Sequence, residues 1–150
     1  MTQLKRILLA EDNANDVELT MTALEHHNLA NEVVVARDGE EALDYLFCRG
    51  AYLGREEGHP AVVLLDLKMP KIDGMEVLKQ VKEDPELRTI PVVILTSSRE
   101  DQDLVESYNL GVNAYVVKPV DFREFIDAVK ELGLFWSIIN VVPPRNGHQG

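Results

Sequence analysis

The chain has 150 residues, about one ordinary domain, and 45% of them are hydrophobic, enough to bury a core without metal or disulfide staples. Acidic residues outnumber basic ones 26 to 15, and the resulting net charge of −11 disfavours bulk electrostatic binding to nucleic acid or anionic lipid. The single cysteine, Cys48, excludes an internal disulfide and a cysteine-based zinc cage, and the four histidines make no helical zinc site.

Ile7-Leu8-Leu9-Ala10 reads as a buried strand, closed by a polar cluster from Glu11 to Asp16. Val17, Met21 and Leu24 then recur at helical spacing, and Asn15 with Glu18 forms a candidate capping box. Glu32–Ala36 is a second strand, and Asp38-Gly39 turns the chain into a helix through Glu41, Leu43 and Leu46. Residues 49–60 hold Gly50, Gly54, Gly58, Pro60 and several charges, the composition of an exposed loop. Ala61–Leu65 is a nearly pure apolar strand ending at Asp66, and Asp73-Gly74 opens a helix carrying Val77, Leu78 and Val81. Pro91–Leu95 is the fourth strand, ending at Thr96; a polar helix follows over roughly 100–110, then the strand Ala114–Val117 and a helix from about Asp121.

Continuous rather than alternating apolar strands imply burial on both faces, which is the mark of a parallel sheet. Five strands separated by five helices predict an α/β fold with a doubly wound five-stranded parallel sheet. No run approaches the about 18 apolar residues that span a bilayer, and the N-terminus shows no small-residue cleavage site. The expectation is a soluble, cytoplasmic domain with neither nucleic acid nor membrane as a direct partner.

Open parallel sheets bind ligands beyond the carboxyl ends of their strands. Glu11 and Asp12 follow the first strand, Asp66 the third, Thr96 and Ser97 the fourth, and Lys118-Pro119 the fifth. Adjacent acidic pairs occur five times in the chain, about as often as chance predicts at this composition, so Glu11-Asp12 means little by itself. Asp66 is different, because it closes an apolar run, and a charge abutting a buried strand needs a partner or a role. What unites these residues is their position, each at the mouth of a strand. Clustered carboxylates without zinc-type ligands suit a hard divalent cation, Mg²⁺ first. Such a cation commonly serves phosphate chemistry, with a hydroxyl and an ammonium as further contacts and an Asp carboxylate as nucleophile. No Walker loop and no GxGxxG follow the first strand, which argues against a bound nucleotide.

In this order and spacing, 30 residues from Asp66 to Thr96 and 22 from Thr96 to Lys118, the residues resemble the receiver domain of two-component response regulators. The resemblance runs from Leu4 to about Leu134 and includes Leu65-Asp66-Leu67-Lys68-Met69-Pro70, Asp73-Gly74, Leu95-Thr96-Ser97 and Lys118-Pro119. It implies the flavodoxin-like receiver fold over residues 1–142, with residues 143–150 as a flexible tail. It implies that Asp66 accepts a phosphoryl group from a sensor histidine kinase. Glu11 (through water), Asp12, Asp66 and the backbone carbonyl of Lys68 would hold Mg²⁺. Lys118 and Thr96 would contact the phosphoryl group, and Tyr115 would turn inward as Thr96 moves. Lys68 and Ser98 would set how long that group survives. The implied role is a phosphoacceptor that catalyses only its own phosphotransfer and dephosphorylation.

Phe122, Phe125, Val129, Leu132, Trp136 and Ile139 are spaced 3, 4, 3, 4 and 3, a coiled-coil-like seam to which Phe135, Ile138, Val141 and Val142 add apolar surface. Phe122, Leu132, Phe135, Trp136 and Ile139 are accordingly candidate homodimer contacts, together with the sheet edge. This segment and the 49–60 loop resemble single-domain regulators of phytochrome-type kinases. Two other classes compete. A magnesium-dependent aspartate-nucleophile phosphohydrolase would need a second Asp where Lys68 stands, and a phosphate-independent interaction module would not need Asp12, Asp66, Thr96 and Lys118.

Overall fold

A computed structural model describes residues 6–25, 32–55, 58–112 and 114–131. The strands are β1 (Ile7–Ala10), β2 (Val33–Ala36), β3 (Val62–Asp66), β4 (Val92–Thr96) and β5 (Ala114–Val117). The helices are α1 (Ala14–Glu25), α2 (Gly39–Phe47), α3 (Gly74–Glu83), α4 (Arg99–Ser107) and α5 (Phe122–Glu131), with short 3₁₀ turns at Gly50–Tyr52 and Leu87–Thr89. All strands pair in parallel in the order β2-β1-β3-β4-β5, so the order reverses between β1 and β3. This is the expected five-stranded α/β sheet.

The two-residue period of the strands explains why their sequences are apolar throughout. Leu8, Ala10, Val63, Leu65 and Ile94 pack with Ala42, Leu43, Val77, Leu78, Val81 and Val105 of α2, α3 and α4. Ile7, Leu9, Val62, Leu64, Val93 and Leu95 face the other way, onto Val17 and Leu24 of α1 and Phe125, Ile126 and Ala128 of α5. Each strand thus supplies both layers, and the three inner strands β1, β3 and β4 are buried along their whole length.

Every helix opens on a short side chain that accepts a backbone N–H of its first turn: Asn13 from Asp16, Asp38 from Glu41, Asp73 from Glu76, Ser98 from Asp101 and Asp121 from Glu124. Such a cap satisfies donors that the helix itself cannot. The first of these corrects the expected Asn15–Glu18 box. Asn13 takes the role because Glu11 Oε2 accepts the Asn13 N–H at 3.1 Å, which fixes the turn leaving β1 two residues earlier.

The expected exposed loop is docked on α2 by two of its described residues, Tyr52 and Arg55. The half-buried Tyr52 meets Tyr45 edge-to-face with centroids 5.0 Å apart and donates its hydroxyl to Glu41 Oε2 at 2.9 Å. Arg55 lies 4.0 Å over the Tyr45 ring and donates to the Tyr45 carbonyl at 2.7 and 3.1 Å and to the Gly58 carbonyl at 3.0 Å. Leu53 projects its apolar side chain into solvent, 80% exposed. Among the described residues no helix is long and apolar enough to cross a membrane. Of the candidate dimer contacts, the Phe122 side chain and Leu132, Phe135, Trp136 and Ile139 lie outside the described residues, as does the 143–150 segment.

Candidate functional site at the carboxyl end of the sheet

The strand order reverses between β1 and β3, whose chains leave toward α1 and α3 on opposite faces of the sheet, and the expected acids gather at that point. One carboxylate oxygen each from Glu11, Asp12 and Asp66 lie within 4.8 Å of one another. Glu11 and Asp66 are buried, whereas Asp12 is exposed. Gly74, the first residue of α3, presses against the chain just past Asp66: its N–H donates to Leu67 O at 2.8 Å, and a Cβ there would collide with the Asp66 carbonyl. Only glycine lets α3 seat so close to this strand end.

Lys118 enters from β5. Its backbone N–H donates to the Thr96 carbonyl at 2.8 Å, and its ammonium reaches Glu11 Oε1 at 3.2 Å, Asp16 Oδ2 at 3.1 Å and Asp66 Oδ1 at 3.3 Å. Two of these contacts are hydrogen bonds, to Glu11 and Asp16, and the third, to Asp66, is an ion pair. Burial would lower the Lys118 pKa, but the hydrogen bond to Asp16 and the charges of Asp66 and Glu11 outweigh it and push the pKa above its ordinary value. The Glu11 carboxyl pKa also rises, but here burial drives the shift. Burial, reinforced by the Asp66 charge, pushes it from 4.5 to about 7 despite opposing contributions from the Asn13 N–H and Lys118.

Thr96, also buried, donates its hydroxyl to the Ser98 carbonyl at 2.7 Å and accepts the Ser98 N–H at 3.1 Å. Tyr115 pairs in register with Ile94, two residues before Thr96, and its half-buried ring packs against the core layer beneath α2, α3 and α4. Its hydroxyl donates to the Val112 carbonyl at 3.3 Å. Lys68 is exposed on the loop two residues past Asp66.

The structure therefore brings Glu11, Asp12, Asp66 and Lys118 into one cluster, with Thr96 on the adjacent strand end. The sequence reading missed Asp16, the nearest acid to the Lys118 ammonium. Its signal was a place in the first turn of a helix that begins two residues past the acid pair. The oxygen donors fit a hard divalent cation: three carboxylates converge, two of them buried, and one ammonium cannot balance them.

A family model for the response regulator receiver domain matches residues 7–130. The chain belongs to that family. Among curated relatives it is 43% identical over 130 residues to the probable methanogenesis regulatory protein FilR2 of Methanothrix harundinacea, covering 87% of this chain and 82% of that one. It is 38% identical over 132 residues to the response regulator Rcp1 of Synechocystis, covering 88% of each. Solved structures extend the likeness. The bacteriophytochrome response regulator AtBRR superposes with a TM-score of 0.89 at 64% identity, over 93% of this chain and all of that one. The phosphorylated cyanobacterial phytochrome response regulator RcpA gives 0.71 at 42% identity (89% and 94% covered), and Mn²⁺-bound Rcp1 gives 0.70 at 37% (94% and 99%). This receiver is thus a signalling protein related to phytochrome-associated regulators.

Proposed function

We propose that Asp66 accepts a phosphoryl group from the phosphohistidine of a sensor kinase, and that the acyl phosphate resets the contacts of Thr96 and Tyr115. The observation that carries this reading is the seat of Lys118, an ammonium 3.3 Å from Asp66 Oδ1 inside a cluster of acids. An oxygen of the Asp66 carboxylate attacks phosphorus, the phosphorus–nitrogen bond breaks with its electron pair going to nitrogen, and the donor histidine, already protonated on its other ring nitrogen, leaves as neutral imidazole. Lys118 can turn hydrogens toward the incoming oxygens without travelling, because it already touches the acceptor. Glu11, Asp12, Asp66 and the carbonyl of Lys68 are the residues that would hold Mg²⁺, which when bound supplies positive charge for the phosphoryl oxygens.

The Thr96 hydroxyl must give up the Ser98 carbonyl to reach a phosphoryl oxygen. Such an exchange replaces a neutral hydrogen bond by a charge-assisted one, about twice as strong. Moving an equilibrium from 1:99 to 99:1 takes roughly 5.5 kcal/mol of differential stabilisation. Charge-assisted bonds from Lys118 and Thr96 at about 1.5–3 kcal/mol each supply a large part of it.

We further assign the donor to the phytochrome-type kinases, on the 64% identity to AtBRR. The protein acts in the cytoplasm as a homodimer joined through its last helix and sheet edge, on the apolar seam from Phe122 to Ile139. Phosphotransfer from a purified phytochrome kinase, read by intact-protein mass, should add one phosphoryl group to the wild type and none to Asp66→Asn. Equal labelling of both proteins would overturn Asp66 as acceptor. Labelling by other kinases and never by phytochrome kinases would remove the partner assignment alone. Sedimentation at tens of micromolar should show a dimer that Trp136→Glu dissociates.

A further inference from the structure

Three carboxylates hold the Lys118 ammonium, but they do not stand in the same relation to the chemistry. Glu11 and Asp66 belong to the trio whose oxygens converge within 4.8 Å, so a cation there draws on the same two acids as Lys118. Once acylated, Asp66 surrenders its carboxylate charge to the phosphoryl oxygens. Asp16 stands apart from that trio, in the first turn of α1, and remains an ordinary carboxylate through the whole event. It makes the shortest of the three contacts, 3.1 Å, and its side chain is 29% exposed while that of Lys118 is 16% exposed. The turn that presents it is pinned at both sides of the bend: Asn13 Oδ1 accepts the Asp16 N–H at 3.0 Å, and Glu11 Oε2 accepts the Asn13 N–H at 3.1 Å.

We propose that Asp16 is a positioning residue for phosphoryl capture, its carboxylate keeping one hydrogen of the Lys118 ammonium while the other two turn to the group on Asp66. This rests on Asp66 being the phosphoacceptor. Without Asp16, the ammonium has only acids whose charge a cation or the phosphoryl group has already claimed. A four-carbon stem with free rotors then holds it loosely, and the ordering entropy falls on the capture step. Hydrogen bonds between charged groups are the strong ones, so the tether is worth a measurable factor even where partly wetted.

Fluoroberyllate serves as the phosphoryl stand-in, titrated at saturating Mg²⁺ so that cation uptake drops out. Asp16→Ala should weaken its binding about tenfold and Asp16→Asn, which keeps an acceptor without charge, about threefold, as expected for loss of one charge-assisted contact. A purely structural role for Asp16 would lower stability and leave this affinity alone. Unchanged or tighter fluoroberyllate binding in folded Asp16→Ala overturns the assignment. Should the wild type take up no fluoroberyllate at all, the phosphoacceptor reading fails, and the tether is judged separately by nitrogen-detected NMR of the Lys118 ammonium. Its hydrogens should then exchange with water several-fold faster in Asp16→Ala than in wild type, and equal exchange overturns the tether.

Discussion

Lys118 and Arg55 each organise a neighbourhood, and the neighbourhoods differ in kind. Arg55 docks on α2 through the Tyr45 carbonyl and the face of the Tyr45 ring, and it also donates to the Gly58 carbonyl in its own loop. Among its described contacts, carbonyl dipoles and a ring quadrupole seat a delocalised cation. Lys118 sits instead among Glu11, Asp16 and Asp66, with Asp12 close to two of them. One positive charge there faces several negative ones in a largely buried crevice, a surplus that a folded core does not need. Matched polarity around a cation secures a fold, whereas a buried surplus of one sign leaves room for a ligand of the other. Glu11 shows the accompanying effect of enclosure: burial raises its pKa, and the Asp66 charge adds to the rise.

The sharpest way to break this contrast is to remove the central cation. In chelator, Lys118→Met should lower unfolding stability by about 3 kcal/mol, since taking one partner from a buried ionic cluster leaves the rest uncompensated. Because Lys118 and a divalent cation share Glu11 and Asp66, Mg²⁺ should restore more stability to the variant than to the wild type. Urea denaturation in chelator and in Mg²⁺ measures both effects. A variant as stable as wild type in chelator would mean that the acids are well solvated, and the argument from surplus charge would fail.

Most of this site was legible because a parallel sheet converts sequence position into spatial position: a residue ending a strand must stand at one rim. Asp66 and Thr96 required nothing more than that. Asp16 was not legible, since its meeting with Lys118 joins residues 102 apart and depends on the phase of a helix. That phase was itself misjudged at Asn15, because the true cap at Asn13 is set by a bond from its own N–H to Glu11 and not by any local propensity. In the 49–60 segment the exposed loop was legible but its docking was not. Its glycines and charges do signal a loop, but the docking of Arg55 on Tyr45 is a tertiary contact that composition does not encode.

Removing the second cation should have a smaller and purely structural effect. Arg55→Met keeps part of the aliphatic stem and loses the bonds to Tyr45 and Gly58, at a cost of about 1–2 kcal/mol for a partly exposed charged donor. Mg²⁺ and fluoroberyllate affinities should stay within about twofold of wild type, since the described contacts of Arg55 lie at α2 and its own loop, not at the acid cluster. A large loss of either affinity would show that the two neighbourhoods are coupled, and the contrast between them would dissolve.

The smallest expected effect is confined to alkaline pH and to the same loop. Burial, helped by the hydrogen bond to Glu41, raises the Tyr52 phenol from 10.0 to about 12. The folded state therefore keeps this proton where the unfolded chain has lost it. The stabilisation from that difference is complete below pH 10 and disappears as pH climbs toward 12. Tyr52→Phe lacks the titration, so the stability advantage of wild type over the variant should hold steady from neutral pH to about 10 and then shrink. Urea midpoints at stepped pH measure it, with absorbance near 295 nm following phenolate formation. A difference that stays flat across the alkaline range would mean that Tyr52 ionises as freely in the folded loop as in the unfolded chain. The loop would then be less firmly seated on Glu41 than a 2.9 Å hydroxyl contact implies.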